Sequence, residues 1–163
     1  MIPVMNVSRQ YKMLEEDLSN AVLEVLHSGN YILGAAVEKF EKAFAEYCGV
    51  KYAIGVGNGT DALVLAMRAC GIKPGDEVIT CAMSFFSTAE AIVSVGAKPV
   101  FVDCTRDTYL LNVSEIEEKI TERTKAIVPI HLYGQCVDMD VVNSIAKKYH
   151  LMVIEDTAQG AGT

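Results

Sequence analysis

The sequence is short of several features that would each have pointed to a function. It has no Cys-x-x-Cys pair: Cys48, Cys70, Cys81, Cys104 and Cys136 are widely scattered and odd in number. That pattern disfavours a disulfide framework and a zinc–thiolate cluster, and it predicts reduced, buried thiols. His27, His131 and His150 share no ligand spacing with one another or with a cysteine pair, so no bound metal is expected. Positive charge is scarce as well. Fourteen Lys and Arg against 21 Asp and Glu leave a formal charge of −7, the wrong sign for a general binder of nucleic acid or anionic membrane. No apolar run approaches membrane-spanning length. The start, Met1-Ile2-Pro3-Val4, shows no basic stretch followed by an apolar one, so no signal peptide is visible. Linkers rich in Pro or Ser, internal repeats and low-complexity segments are missing too. A soluble, cytoplasmic protein without nucleic-acid or membrane partners is the expectation.

What is present is enough for a core. At 163 residues, 51% of them hydrophobic, and with a mean hydropathy of +0.25, the chain is not disordered and suits one domain better than two. Its first part reads as helical: Tyr11, Leu14, Leu18, Ala21, Val22, Val25 and Leu26 recur at helix spacing up to Ser28-Gly29. Val37, Phe40, Phe44 and Tyr47 form a second apolar stripe, closed by Gly49. From Tyr52 the pattern becomes strand, helix, strand, helix. Strands are predicted over Tyr52–Val56, Glu77–Cys81, Pro99–Asp103, Ala126–Ile130 and Leu151–Glu155, with helices starting near Thr60, Ser87, Ser114 and Asp138. Such alternation of short, continuously apolar strands with helices predicts an α/β fold, mainly a parallel sheet with helices on both faces.

Four places carry candidate chemistry. Gly55-Val56-Gly57-Asn58-Gly59-Thr60-Asp61 joins a predicted strand to a helix, where backbone N–H groups and the positive dipole end can hold a phosphate without Lys or Arg. A plain turn capped by Asn58 or Thr60 is the competing reading. A phosphate loop of the Gly-Lys-Ser/Thr type is absent. The dinucleotide fingerprint also fits poorly, because the glycines fall as Gly-x-Gly-x-Gly and no acid ends the next strand. After the second strand, Phe85 or Phe86 could stack on a flat ring, although two core phenylalanines are the more ordinary outcome. Asp103 and His131 also follow apolar strands: Asp103 could equally be a turn residue, and His131, with Tyr133-Gly134-Gln135, could line the same pocket, although a hydrogen-bonded structural histidine is the more common outcome. Asp156 stands apart: the run Leu151-Met152-Val153-Ile154-Glu155 puts its carboxylate at a strand tip, where open α/β sheets bind ligands, and Gln159 lies close behind. A carboxylate there can keep a pyridine nitrogen protonated, the electron-sink form that pyridoxal phosphate chemistry needs; a partly buried Asp capping the next helix is the competing reading.

Four segments taken together are far more specific than any one of them: Gly57-Asn58-Gly59-Thr60-Asp61-Ala62-Leu63, Pro74-Gly75-Asp76-Glu77-Val78-Ile79-Thr80, Thr124 to Gln135, and Glu155-Asp156-Thr157-Ala158-Gln159. With Asn30-Tyr31-Ile32-Leu33-Gly34 and Glu46-Tyr47-Cys48-Gly49-Val50, they resemble the DegT/DnrJ/StrS family of pyridoxal-phosphate sugar aminotransferases across essentially the whole chain. The resemblance implies the three-layer large domain of fold-type I transferases. Residues 51–163 would be its first part, residues 1–50 a helical segment packing on it, and a small C-terminal domain would be absent. It implies that Gly59, Thr60 and the Asp61 backbone hold the phosphate of pyridoxal 5'-phosphate, that Phe85 stacks on its ring, that Asp156 pairs with the ring nitrogen, and that Gln159 approaches the ring hydroxyl. The family's Schiff-base lysine would lie beyond Thr163, so no catalytic residue is expected within the chain, which would be an inactive N-terminal fragment. The complete protein would be a homodimer that takes an amino group from glutamate to a nucleotide-linked keto-sugar. A related sugar dehydratase, and a non-catalytic remnant or half of a split enzyme, are the alternatives. An uncovered last strand, Leu151–Glu155, predicts poor stability of the chain alone.

Overall fold

A computed structural model describes residue 3 and residues 5–162. Met1, Ile2, Val4 and Thr163, on which the reading of the two termini partly rests, lie outside them. The chain divides into two compact units, one through Gly55 and one from Val56.

The first unit holds two helices. α1 (Val7–Ser28) begins where Asn6 accepts from the Arg9 N–H at 3.2 Å and ends at Gly29, whose N–H returns to the Leu26 carbonyl. α2 (Ala35–Tyr47) carries the second apolar stripe, in which Phe40 stacks on Phe44 with centroids 5.5 Å apart and Phe44 on Tyr47 at 6.1 Å. Both helices match the expected periodic segments.

The second unit is built on a parallel sheet of four strands in the order β2-β1-β3-β4. They are β1 (Glu77–Cys81), β2 (Lys98–Val102), β3 (Thr124–Val128) and β4 (Met152–Val153). Every pair is parallel. Strand alternation sends neighbouring residues to opposite faces, and each face has its own core. Val78, Ala126, Val128 and Ile154 pack with Leu63 and Met67 of α3 (Gly59–Ala69) and with Ala91 and Ile92 of α4 (Ser87–Ser94). On the other face Ile79, Val102 and Ile127 pack with Val142, Ile145 and Ala146 of α5 (Met139–Tyr149) and with Leu110, Leu111 and Ile116 of the connection after β2. Ile79 and Ile127 are wholly buried, each adding about 1.5–3 kcal/mol of hydrophobic stabilisation. This is the expected parallel sheet with helices on both faces.

Two expected elements do not form. Tyr52–Val56 is not a strand: its backbone joins no ladder with the described strands, and Tyr52 and Ile54 are exposed. An apolar run becomes a strand only where a sheet edge pairs with it. The helix expected from Ser114 is replaced by two 3-10 turns, Val113–Glu115 and Glu117–Lys119. There Ser114 Oγ donates to Asn112 Oδ1 at 2.7 Å and Asn112 Nδ2 to Glu115 Oε1 at 2.7 Å, local bonds that compete with a regular helix. The other helices start where expected, α3 capped by Asn58 and α5 by Asp138.

Beyond β4 the pairing loosens without stopping. The Ile154 N–H donates to the Ile127 carbonyl at 3.1 Å, the Asp156 N–H to Pro129 at 2.9 Å and the His131 N–H to the Asp156 carbonyl at 3.0 Å. These bonds carry Asp156 to the carboxyl end of the sheet.

Candidate active site

Three segments of the second unit carry the candidate residues: the start of α3, the junction between β1 and α4, and the segment after β4, the last two joined by the bond between Thr88 and Asp156. In the first of these, Asn58 closes the helix start. Its Oδ1 accepts from the Asp61 N–H at 2.9 Å and its Nδ2 donates to Asp61 Oδ2 at 2.9 Å. Gly57 belongs to the same arrangement, since a Cβ on it would lie 2.9 Å from Asp61 Oδ2. With the Asp61 amide taken by the cap, the first-turn N–H groups without a partner among the described residues are those of Gly59 and Thr60. Two free N–H groups at the positive end of a helix dipole can hold an anion.

Phe85 and Phe86 are not core residues. They are 75% and 70% exposed, which overturns the more ordinary expectation and leaves the Phe85 ring open for contact beyond the chain. Two residues further, α4 begins, and there Thr88 is buried with its Oγ–H donating to Asp156 Oδ2 at 2.8 Å. The other Asp156 oxygen accepts from the Ala158 N–H at 3.2 Å. No Lys, Arg or His among the described residues forms an ion pair with Asp156. Its carboxylate is therefore oriented by two neutral donors and keeps its charge unmatched, which suits a cationic nitrogen.

Gln159 is aimed by Tyr133. The Tyr133 N–H donates to Gln159 Oε1 at 2.8 Å, which leaves the Gln159 amino group without a bond to any described residue and able to donate to a ligand oxygen. Tyr133 itself sits at φ 59°, ψ 23°, a left-handed conformation uncommon for a side chain of its kind. A Cβ on the next residue, Gly134, would stand 3.4 Å from the Gln159 carbonyl.

His131 takes the more common of its two expected outcomes, a hydrogen-bonded structural histidine. It is 2% exposed. Its Nδ1 accepts from the Val137 N–H at 3.4 Å, so Nε2 carries the proton and donates it to Glu155 Oε2 at 3.0 Å. Asp103 directly follows β2, ahead of the turn at residues 106–108, and its Oδ1 accepts from the Cys104 N–H at 2.8 Å. Burial pushes the Cys81 thiol above its usual range, which makes it a poor nucleophile despite its place at the end of β1. All five cysteines are free thiols, but only Cys81 is buried and Cys48 and Cys136 are exposed, against the expectation of buried thiols; no cluster of metal-ligating side chains occurs among the described residues.

Sequence reasoning missed Thr88, the Tyr133 N–H and the His131–Glu155 bond. No single-sequence signal marks them, because each links positions at least 24 residues apart.

The model of the DegT/DnrJ/EryC1/StrS aminotransferase family matches residues 12–163. The chain belongs to that family. It is 49% identical over 162 residues to the dTDP-3-amino-3,6-dideoxy-alpha-D-galactopyranose transaminase of Aneurinibacillus thermoaerophilus, covering 99% of this chain and 45% of that protein. Among solved structures it superposes on S. venezuelae DesV, in complex with a ketimine intermediate, with a TM-score of 0.97 and 40% identity, over 99% of this chain and 43% of DesV. It also superposes on NtdA of Bacillus subtilis with bound cofactor PMP, with a TM-score of 0.95 and 41% identity, over 99% of this chain and 37% of NtdA. Its fold is thus the fold-type I transferase large domain, represented in part. The chain spans less than half the length of these family relatives. No helix among its described residues is long and apolar enough to cross a membrane.

Proposed function

We propose that the protein is a pyridoxal 5'-phosphate-dependent aminotransferase that transfers an amino group from glutamate to a nucleotide-linked keto-sugar. The observation that carries this reading is Asp156, a half-buried carboxylate at a strand tip, oriented by Thr88 and Ala158 and matched by no cation of the described chain. When bound, the cofactor supplies an electron sink for the carbon next to the amine.

The chain's own residues provide binding and orientation. Asp156 holds the proton on the ring nitrogen, because an adjacent anion favours the cationic form. The Gly59 and Thr60 N–H groups and the Thr60 hydroxyl hold the phosphate. The Asp61 N–H reaches it only by giving up Asn58, its partner at 2.9 Å. Phe85 presents its open ring as a stacking platform. Gln159, its oxygen committed to Tyr133, donates from its amino group to the ring hydroxyl. None of these residues is proposed as the covalent catalyst. The substrate class is supported by the transaminase of Aneurinibacillus thermoaerophilus, whose name specifies a dTDP-linked amino-sugar. A homodimer belongs to the same proposal, and the five free thiols suit a reducing, cytoplasmic setting.

The full-length protein, loaded with cofactor and given glutamate with a panel of dTDP-, UDP- and GDP-linked keto-sugars, should form an amino-sugar and 2-oxoglutarate in equal amounts. Cofactor binding without amino-sugar formation would overturn the substrate class. Failure to bind the cofactor at all would overturn the whole reading.

A further inference from the structure

We infer that Thr88 is a positioning residue of this site: its buried hydroxyl sets the plane of the Asp156 carboxylate and so decides which lone pair faces the cofactor ring nitrogen. The inference rests on the reading proposed above.

Thr88 is the second residue of α4 and is 2% exposed. A helical Thr hydroxyl often bonds a carbonyl of the preceding turn. This one crosses 68 positions of sequence to reach Asp156 Oδ2 at 2.8 Å. Asp156 has one further anchor, the 3.2 Å bond from the Ala158 N–H to Oδ1. Because the two donors hold different oxygens, together they resist rotation of the carboxylate, and losing either one relaxes that hold. The lone-pair site left on each oxygen then keeps a fixed direction. Asp156 is only half-buried, so without Thr88 water would compete for Oδ2.

The chemical identity of the donor matters as much as its place. A neutral hydroxyl holds the carboxylate without cancelling its charge. A Lys or Arg at the same position would hold the carboxylate equally well and cancel the charge a pyridinium requires. Thr88 also lies three residues after Phe85. The proposed stacking ring and the donor that aims the carboxylate are therefore close neighbours in the chain, one just before α4 and one in its first turn.

The test uses full-length protein and pyridoxamine 5'-phosphate labelled with 15N in its ring, a probe that forms no covalent bond with lysine. Calorimetry gives its affinity and NMR gives the protonation of the ring nitrogen. Thr88→Val keeps the shape and removes the hydroxyl. It should weaken binding about tenfold or more, as expected for one hydrogen bond to a charged group, and should move the 15N signal toward the unprotonated position. Thr88→Ser, which keeps the hydroxyl, should restore both to near wild type. If the valine variant does not fold, Thr88→Ala replaces it and must be impaired where serine is not. Wild-type affinity and 15N shift in the valine or alanine variant, or serine as impaired as alanine, would overturn the role of Thr88 while leaving the cofactor site standing. A wild-type protein that does not bind the probe would instead remove the site itself and the inference with it.

Discussion

His131 grips the strand tip twice: its backbone N–H bonds the Asp156 carbonyl at 3.0 Å, and its Nε2 bonds Glu155 Oε2 at the same distance. The first bond continues the sheet and survives any side-chain change. The second depends on the ring, and so does the acceptor for the Val137 N–H, a backbone group of a buried residue. His131→Ala removes a buried ring and leaves that N–H unpaired, so destabilisation of about 3 kcal/mol is expected. Chemical denaturation measures it directly. A loss well under 1 kcal/mol would mean that the backbone ladder alone secures the tip.

Asp156→Asn separates charge from shape. The amide oxygen can still accept from Thr88 or Ala158, so stability should change by no more than about 1 kcal/mol. The ring nitrogen loses its anionic partner, and turnover of the full-length protein should fall at least about tenfold. Equal turnover in the two proteins would show that Asp156 is not the nitrogen partner.

At the opposite end of the sheet, Glu77 supplies a pH dependence. Its side chain is 3% exposed and is held by Thr121 Oγ1 at 2.6 Å, Arg123 at 2.8 Å and Lys98 at 3.5 Å. The Thr121 hydrogen bond, then the Arg123 bond, bring its carboxyl from the ordinary 4.5 down to about 2. A folded-state value below the unfolded one adds stability that is fully present above pH 4.5 and is lost as the pH falls toward 2. Glu77→Gln should therefore be clearly less stable than wild type at pH 7, and the gap should close between pH 4.5 and 2. Denaturation curves across that range check it, and a pH-independent gap would assign the effect to packing instead of charge.

How much of this was legible depended on whether the deciding interaction was local. Glu77–Cys81 is continuously apolar at its centre and bounded by Pro74-Gly75, and it forms a strand with the expected limits. Asp156 could be found because a strand run ends just before it. Tyr52–Val56 has the same local signature and fails, since strand formation is settled by a partner that the run does not contain. Phe85 and Phe86 look like core by composition and prove exposed, because the turn before α4 faces them outward. Thr88, His131 and Tyr133 act on residues 68, 24 and 26 positions away, distances at which periodicity and spacing carry no information.

The turn that starts β1 offers a backbone test with an internal control. Gly96 sits at φ +81°, its carbonyl accepts from the Gly75 N–H at 3.1 Å, and an added Cβ would lie 2.8 Å from Pro74 Cγ and 3.2 Å from Pro74 Cα. Gly71 has a similar φ of +78°, but nothing would stand within 4 Å of its Cβ. Gly71→Ala therefore costs only the left-handed conformation, about 1–2 kcal/mol. Gly96→Ala costs that and the displacement of the Pro74-Gly75 turn, so its total should exceed the Gly71 value by about 1 kcal/mol or more. The two alanine variants, compared by urea denaturation, isolate the contact. Equal losses would show that Pro74 yields freely and that the conformation of Gly96, not its closeness to the turn, is what requires glycine there.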